Sequence, residues 1–356
     1  MIASEFEACQ YARNQRKSSN VTDKNSPKRP TIYDLAGLVG TSPTAVSSVL
    51  NGSWKKRRIS QKLADKVLKA AQENGYTVNI QASVLRRERS NIVGMILPKY
   101  DNRFFGAMAE EFEKRARAAG LFPVITCTQR DPTLELAAAR EMLSYQVDYL
   151  ICTGATDPDQ ITDVCQAAGV KTLNLDLPGT KAPSILSDNF SAARDLTRVI
   201  LDSCYRDFGV SEPLLFIGGR KDDHNTQERR RGFQEAHAER GLSVPEALMI
   251  TEGYAPEKAR QTLASMKQLP HGIFVNSTIT LEGVVFWLQS QPPERAAKIR
   301  YGSFDWDPFG ALLPQNVGMV RQDIQALLDL TFETMKSGKT GAEMQLVRCK
   351  MEMPEL

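Results

Sequence analysis

Two groups of side chains in this 356-residue chain have the types and spacing for recognition chemistry. One is the run of small hydroxyl and amide residues in TSPTAVSSVLNG, residues 41–52, which can both donate to and accept from base edges and phosphates. The other is a set of polar residues closing short apolar runs: Asn102, Asp176, Asp222, Asp223, Asn276 and Asp305. The carboxyl ends of strands are where ligands bind in open α/β sheets. Catalytic and metal chemistry has much weaker support. Cys152, His224 and Asp305 form no sequence-local base–nucleophile arrangement, no glycine loop cradles a phosphate, and the three histidines (His224, His237, His271) are too scattered for a zinc signature. Neither a metal nor a cofactor is expected.

The hydroxyl run is positioned by two short helices. Ile32, Leu35, Ala36 and Val39 fall at i, i+3, i+4 and i+7, so one face of the first helix is apolar. Gly40 supplies the turn without a Cβ penalty. Thr41 or Ser42 can cap the second helix, with Pro43 in its first turn and Asn51-Gly52 as its stop. Val46, Val49 and Leu50 make that helix's buried stripe. A tight helical pair with small polar residues outward suits insertion into a major groove, although an ordinary helical hairpin has the same pattern.

Charge separates this region from the rest. Residues 1–90 hold 16 Lys/Arg against 7 Asp/Glu, a balance of +9, while the remainder holds 29 against 35, a balance of −6. A basic front on a mildly acidic body is the footprint of a nucleic-acid module attached to something else. The six cysteines are dispersed with no CxxC pair, which points to reduced thiols. No apolar run reaches the ~20 residues needed to span a bilayer, and MIASEFEACQYARNQ lacks a signal-peptide core. A cytoplasmic protein with no membrane partner is expected.

Along the chain, residues 1–28 read as a disordered basic tail, 29–76 as an all-α helix-turn-helix headpiece, and 77–90 as a linker holding Ala82, Val84 and Leu85. SWKKRRI, after the second helix, has four consecutive cations that fit either plain solvation or a grip on phosphates. From residue 91 onward, apolar runs such as NIVGMILP, DYLICTG and GIFVN alternate with amphipathic helical segments. That pattern predicts parallel sheets covered on both faces, and about 265 residues of it are more than one doubly wound sheet usually holds. The expected fold class is therefore a small all-α headpiece plus an α/β core of two doubly wound parallel-sheet lobes.

These elements in this order resemble the lactose/galactose repressor family of bacterial transcription regulators, over nearly the whole chain from about residue 30. TIYDLAGLVGTSPTAVSSVLNG carries the resemblance most specifically, and the extended loop SWKKRRIS is similar to that of the fructose and sucrose repressors. The family implies a periplasmic-binding-protein-like core, with one lobe at about 91–188 and 324–342 and the other at about 189–323 and 343–356. It implies a homodimer on double-stranded operator DNA, contacted through Thr31, Tyr33, Ser42, Pro43, Thr44, Ser47, Ser48 and Asn51. Pro43, Thr44 and Ser48 fall at its base-reading positions, and Leu85, with Ala82 beside it, at its minor-groove wedge. Ala45 stands where a hydroxyl residue is common, which removes one phosphate contact. The chain ends at Leu356 without a leucine heptad, which favours a dimer over a tetramer.

For the core, the resemblance implies a small sugar or sugar-phosphate effector between the lobes, held by Phe104, Asp176, Asp223, Asn225, Arg229, Asn276 and Asp305. Arg229, in ERRRGF, and Asp305, ending IRYGSFD, suit a polyol, since a carboxylate accepts from hydroxyls and a guanidinium forks onto oxygens. Asp176 and the pair Phe104-Phe105, which opens the first core helix, also fall at the family's cleft positions; Asp176 fits a capping or loop role nearly as well, and Phe104 fits either core packing or sugar stacking. The sequence departs from the family in two places. Asn276-Ser277-Thr278 replaces alanine-asparagine-aspartate, and the loop GGRKDDHN is unusually charged. A ligand-responsive repressor is the leading expectation, ahead of a sugar-transport binding protein or a sugar-converting enzyme.

Overall fold

The computed structural model describes residues 30–76 and 89–354, which fall into two compact units divided between residues 88 and 89. The linker residues Ala82 and Leu85 lie outside the described residues.

In the first unit the cap residues set the helix boundaries. α1 (Ile32–Val39) begins at a capping box: Asp34 N–H donates to Thr31 Oγ1 at 3.3 Å and Thr31 N–H donates to the Asp34 carboxylate at 2.7 Å. It ends at Gly40, whose φ of 74° is the left-handed conformation glycine adopts freely. Ser42, rather than Thr41, caps α2 (Pro43–Leu50), with Ala45 N–H donating to its Oγ at 3.1 Å. α3 (Gln61–Glu73) starts at Ser60 and closes the small core, in which Leu35, Ala36, Val39, Val46, Val49, Ala64, Val67 and Ala71 are buried. Tyr76 packs against that cluster.

The second unit alternates strands and helices. In chain order these are β1 (Ile92–Leu97), α4 (Arg103–Ala118), β2 (Phe122–Cys127), α5 (Pro132–Ser144), β3 (Tyr149–Thr153), α6 (Pro158–Ala167), β4 (Lys171–Leu175), β5 (Ser184–Ser187) and α7 (Asn189–Phe208). β6 (Leu215–Ile217), β7 (Gly219–Arg220), α8 (His224–Ala238), β8 (Met249–Ile250), β9 (Glu252–Gly253), α9 (Pro256–Ser265), β10 (Gly272–Val275) and α10 (Thr278–Gln289) follow. The unit ends with α11 (Pro293–Ala296), β11 (Arg300–Phe304), β12 (Asn316–Arg321), α12 (Ile324–Ser337), β13 (Met344–Val347) and β14 (Lys350–Glu352).

One six-stranded sheet has the order β13-β5-β4-β3-β1-β2 and is parallel throughout; a second runs β14-β12-β11-β10-β6-β8, with only β14 antiparallel, and β7 and β9 form a small antiparallel pair. Helices cover both faces of each large sheet. α4 and α12 bury Met108, Phe112, Leu327 and Phe332 on one face of the first sheet, while α5 and α6 bury Ala139, Met142 and Ile161 on the other. α7 and α8 cover one face of the second sheet and α9 and α10 the opposite one. This double cover explains why the strands read as continuous apolar runs instead of alternating ones.

The lobe boundary near the C-terminus differs from expectation. Residues 343–347 belong to the first lobe, because β13 pairs in parallel with β5, from Met344 beside Ser184 to Val347 beside Ser187. β5 is buried at all four residues, so its outer backbone groups need a partner strand, which β13 supplies. The chain returns to the second lobe only at β14.

Candidate functional site

The strand order places the ends of β4 and β11 on opposite walls of a cleft of about 310 Å³ between the lobes. Asp176 follows the last residue of β4 and Asp305 the last residue of β11, and both have a positive φ, 73° and 65°. Non-glycine residues held in the left-handed region are uncommon, and here each turns a buried carboxylate into the cleft. Burial pushes the Asp176 carboxyl up to about 6, with Asp223 and Asp305 adding to that effect while Arg130 and Arg229 oppose it. Burial also raises Asp305, against the opposing pull of Arg229 and a hydrogen bond from Gln322 Nε2 at 2.6 Å.

Arg229 is the organising cation. It lies in the second turn of α8, buried, with its guanidinium 3.6 Å from the centroid of the Phe304 ring. Its Nε donates to Asn189 Oδ1 and its Nη1 to the Asn276 carbonyl, each at 2.7 Å. Asn189 also donates to Asn225 Oδ1 at 3.1 Å, and Asn225 Nδ2 donates to Asp176 Oδ1 at 3.0 Å. A continuous polar chain thus runs from the second lobe to the first. The glycine of ERRRGF has a physical reason as well, because a Cβ on Gly232 would sit 2.2 Å from the Phe190 carbonyl oxygen of α7. Gly232 lets α8 approach α7 closely enough for Arg229 to reach Asn189.

Of the residues expected at the effector, Phe104, Asp176, Asn225, Arg229 and Asp305 line the cleft. Asp223 and Asn276 do not; both are buried behind its wall. Asp223 caps α8 and accepts from the Tyr254 hydroxyl at 2.6 Å. Asn276 turns its carbonyl to Arg229 and its amide to Thr226 Oγ1 at 3.3 Å. The charged Lys221 and Asp222 are exposed and away from the cleft lining. Phe105, expected at the cleft beside Phe104, lines it too, whereas sequence reasoning missed Lys99, Arg130, Tyr254, Ser277 and Gln322 as lining residues. Arg130, held at a φ of 58°, places its guanidinium 5.7 Å from the Phe105 ring and 5.9 Å from the Tyr254 ring. Gln322 lies in a crossover with no periodic signal. Cys152, the candidate thiol nucleophile, is buried in the apolar cluster beneath α5 and α6, with its thiol pushed up by burial.

On the headpiece, Thr31, Tyr33, Ser42, Thr44 and Asn51 are exposed, and Pro43 and Ser47 are partly so. Ser48 is not: only 4% of it is accessible, and its hydroxyl donates to the Thr44 carbonyl at 2.8 Å. A hydroxyl returned to the preceding turn satisfies itself without reaching a base. The four cations Lys55, Lys56, Arg57 and Arg58 are exposed.

The comparisons agree with this architecture. The family described as "Bacterial regulatory proteins, lacI family" matches residues 31–79, and "Periplasmic binding protein domain" matches residues 93–308. The ribitol operon repressor of Klebsiella aerogenes is 58% identical over 194 residues, covering 54% of this chain and 72% of its own. The fructose operon regulatory protein of Vibrio cholerae is 30% identical over 305 residues, covering 84% and 91%. Among solved structures, the lac repressor dimer bound to operator and the anti-inducer ONPF superposes with a TM-score of 0.73 at 19% identity, covering 92% of this chain and 99% of that one. The chain belongs to the lacI family of bacterial regulatory proteins. It is a DNA-binding transcription regulator and not an enzyme. Among the described residues no helix is long and apolar enough to cross a membrane.

Proposed function

We propose that this chain is an operator-binding repressor whose hold on DNA is set by a free, uncharged polyol or sugar lodged between the lobes. The observation that carries the reading is the facing pair of buried carboxylates, Asp176 and Asp305, with Arg229 between them. Carboxylates accept from hydroxyls and repel a phosphate, and two of Arg229's three nitrogens are already bonded inside the protein. A relative named for a ribitol operon is consistent with a polyhydroxylated effector. Lys99 and Arg130 on the cleft wall favour the second reading, a phosphorylated sugar.

The exposed hydroxyls of Thr44 and Ser42, with Thr31, Tyr33, Pro43, Ser47 and Asn51, supply the headpiece contacts in this reading. A homodimer then places two headpieces on a pseudo-palindromic operator, and Leu85, beside Ala82, wedges into the minor groove at its centre. The cytoplasm, where operator DNA lies, is the compartment. A thermal-shift panel of matched free and phosphorylated pentitols, pentoses and hexoses tests the effector. A ligand at 100 times its dissociation constant stabilises the core by about 2.7 kcal/mol. Stabilisation by phosphorylated members alone selects the second reading. No shift from any member, together with no specific duplex retained in a gel shift, removes both.

A further inference from the structure

Before the first sheet begins, the chain is held by one side chain. Ser90 N–H and Ser90 Oγ–H donate to Asp148 Oδ1 at 2.8 and 2.9 Å, and Asn91 N–H donates to Asp148 Oδ2 at 2.9 Å. Asn91 has a φ of 59°, a left-handed turn that aims two consecutive N–H groups at one carboxylate. Ser90 Oγ in turn accepts from Ile92 N–H at 3.0 Å, and Asp148 N–H donates to the Ile92 carbonyl at 2.8 Å. The β ladder starts at Ile92, and Asn91 joins it only through its carbonyl, which accepts from Phe122 N–H at 2.7 Å, so sheet pairing by itself does not order Ser90 or turn the Asn91 N–H toward Asp148. Three bonds to a carboxylate are nonetheless spent on Ser90 and Asn91, the last residue of the basic linker, 77–90, and the first residue after it.

We propose that Asp148 is a positioning residue for operator binding: its carboxylate fixes the point and direction in which the chain leaves the core for the linker. This rests on the repressor reading above. Two headpieces on one operator gain affinity from each other only when their tethers hold them near the half-site spacing, and a loose tether lowers the effective concentration of the second. Non-specific contact with phosphates has no such requirement.

The test uses the full chain and duplexes that the parent enriches from a randomised library, beside a scrambled duplex of equal length. Asp148→Asn replaces an acceptor with an NH2 facing an N–H donor, and Ser90→Ala removes one bond of the three together with the bond from Ile92 N–H. Asp148→Asn is expected to weaken binding to the selected duplex about tenfold and Ser90→Ala about threefold, with scrambled-duplex affinity and thermal midpoint nearly unchanged. Equal falls on both duplexes with a lower midpoint make Asp148 an ordinary stabilising residue and overturn the proposal, as does unchanged selected-duplex affinity in both variants. If the parent enriches no duplex, the repressor reading itself fails and the role of Asp148 goes with it.

Discussion

Asn225 Nδ2 donates to Asp176 Oδ1 at 3.0 Å, so two side chains from opposite lobes satisfy one another inside the cleft. On the proposed reading, a ligand hydroxyl donating to Asp176 Oδ1 would compete with that bond, which would link occupancy to lobe geometry as a population shift requires.

Asp176→Asn separates charge from shape at this position. Burial raises the folded-state pKa to about 6 from the ordinary 3.8. The folded core thus binds this proton more tightly than the unfolded chain, and the resulting stability is present below pH 3.8 and lost as pH rises through about 6. Asn tolerates the left-handed backbone and still accepts from Asn225, so the variant should be more stable than the parent at pH 7 by on the order of 1–3 kcal/mol. Calorimetry at pH 4 and pH 7 checks this: the advantage should shrink at the lower pH. Effector affinity should fall about tenfold at pH 7, where a charge-assisted acceptor is lost.

Arg229→Lys keeps the charge and removes the fork that holds Asn189 and the Asn276 carbonyl together. We expect effector affinity to drop about ten- to a hundredfold while effector-free operator binding persists. In gel shifts the variant should remain on DNA at effector levels that release the parent. Release at the parent's concentration would move the site away from Arg229.

Thr44 and Ser48 are predicted to behave differently although both are small hydroxyl residues on α2. Ser48 is buried with its hydroxyl bonded to the Thr44 carbonyl, whereas Thr44 is exposed. Thr44→Ala should cost on the order of 1 kcal/mol in operator binding, and Ser48→Ala under about 0.5 kcal/mol. Fluorescence anisotropy with a labelled operator reads both, and a larger loss from Ser48→Ala would show that its hydroxyl reorients on DNA.

Gly232→Ala tests the seat of Arg229 without touching the cleft. The added methyl meets the Phe190 carbonyl oxygen at 2.2 Å, so α8 must move away from α7. A destabilisation of about 1–3 kcal/mol and weaker effector binding are expected together, measured by denaturant unfolding and effector titration. Unchanged values for both would mean that the helices adjust without moving Arg229.

Local chemistry makes much of this protein legible from its sequence. The helix-turn-helix follows from the i, i+3, i+4 spacing of Ile32, Leu35 and Ala36, the Thr31 cap and Gly40, all acting within a few residues. The two α/β lobes follow from apolar strand runs, because each strand is buried on both faces. Asp176 and Asp305 stand out as polar residues closing such runs. Contacts between distant segments were decided only by tertiary structure. Met344–Val347 joins the first sheet because β5, some 160 residues earlier, has an open edge. Asp223 and Asn276 look identical in kind to Asn225, yet they pack behind the wall, where Tyr254 and Arg229 use their oxygens. Arg130 and Gln322 reach the cleft through a left-handed turn and a crossover, neither of which leaves a periodic trace. Periodicity reports which face of an element is buried, while the partner it is buried against depends on how the whole chain closes.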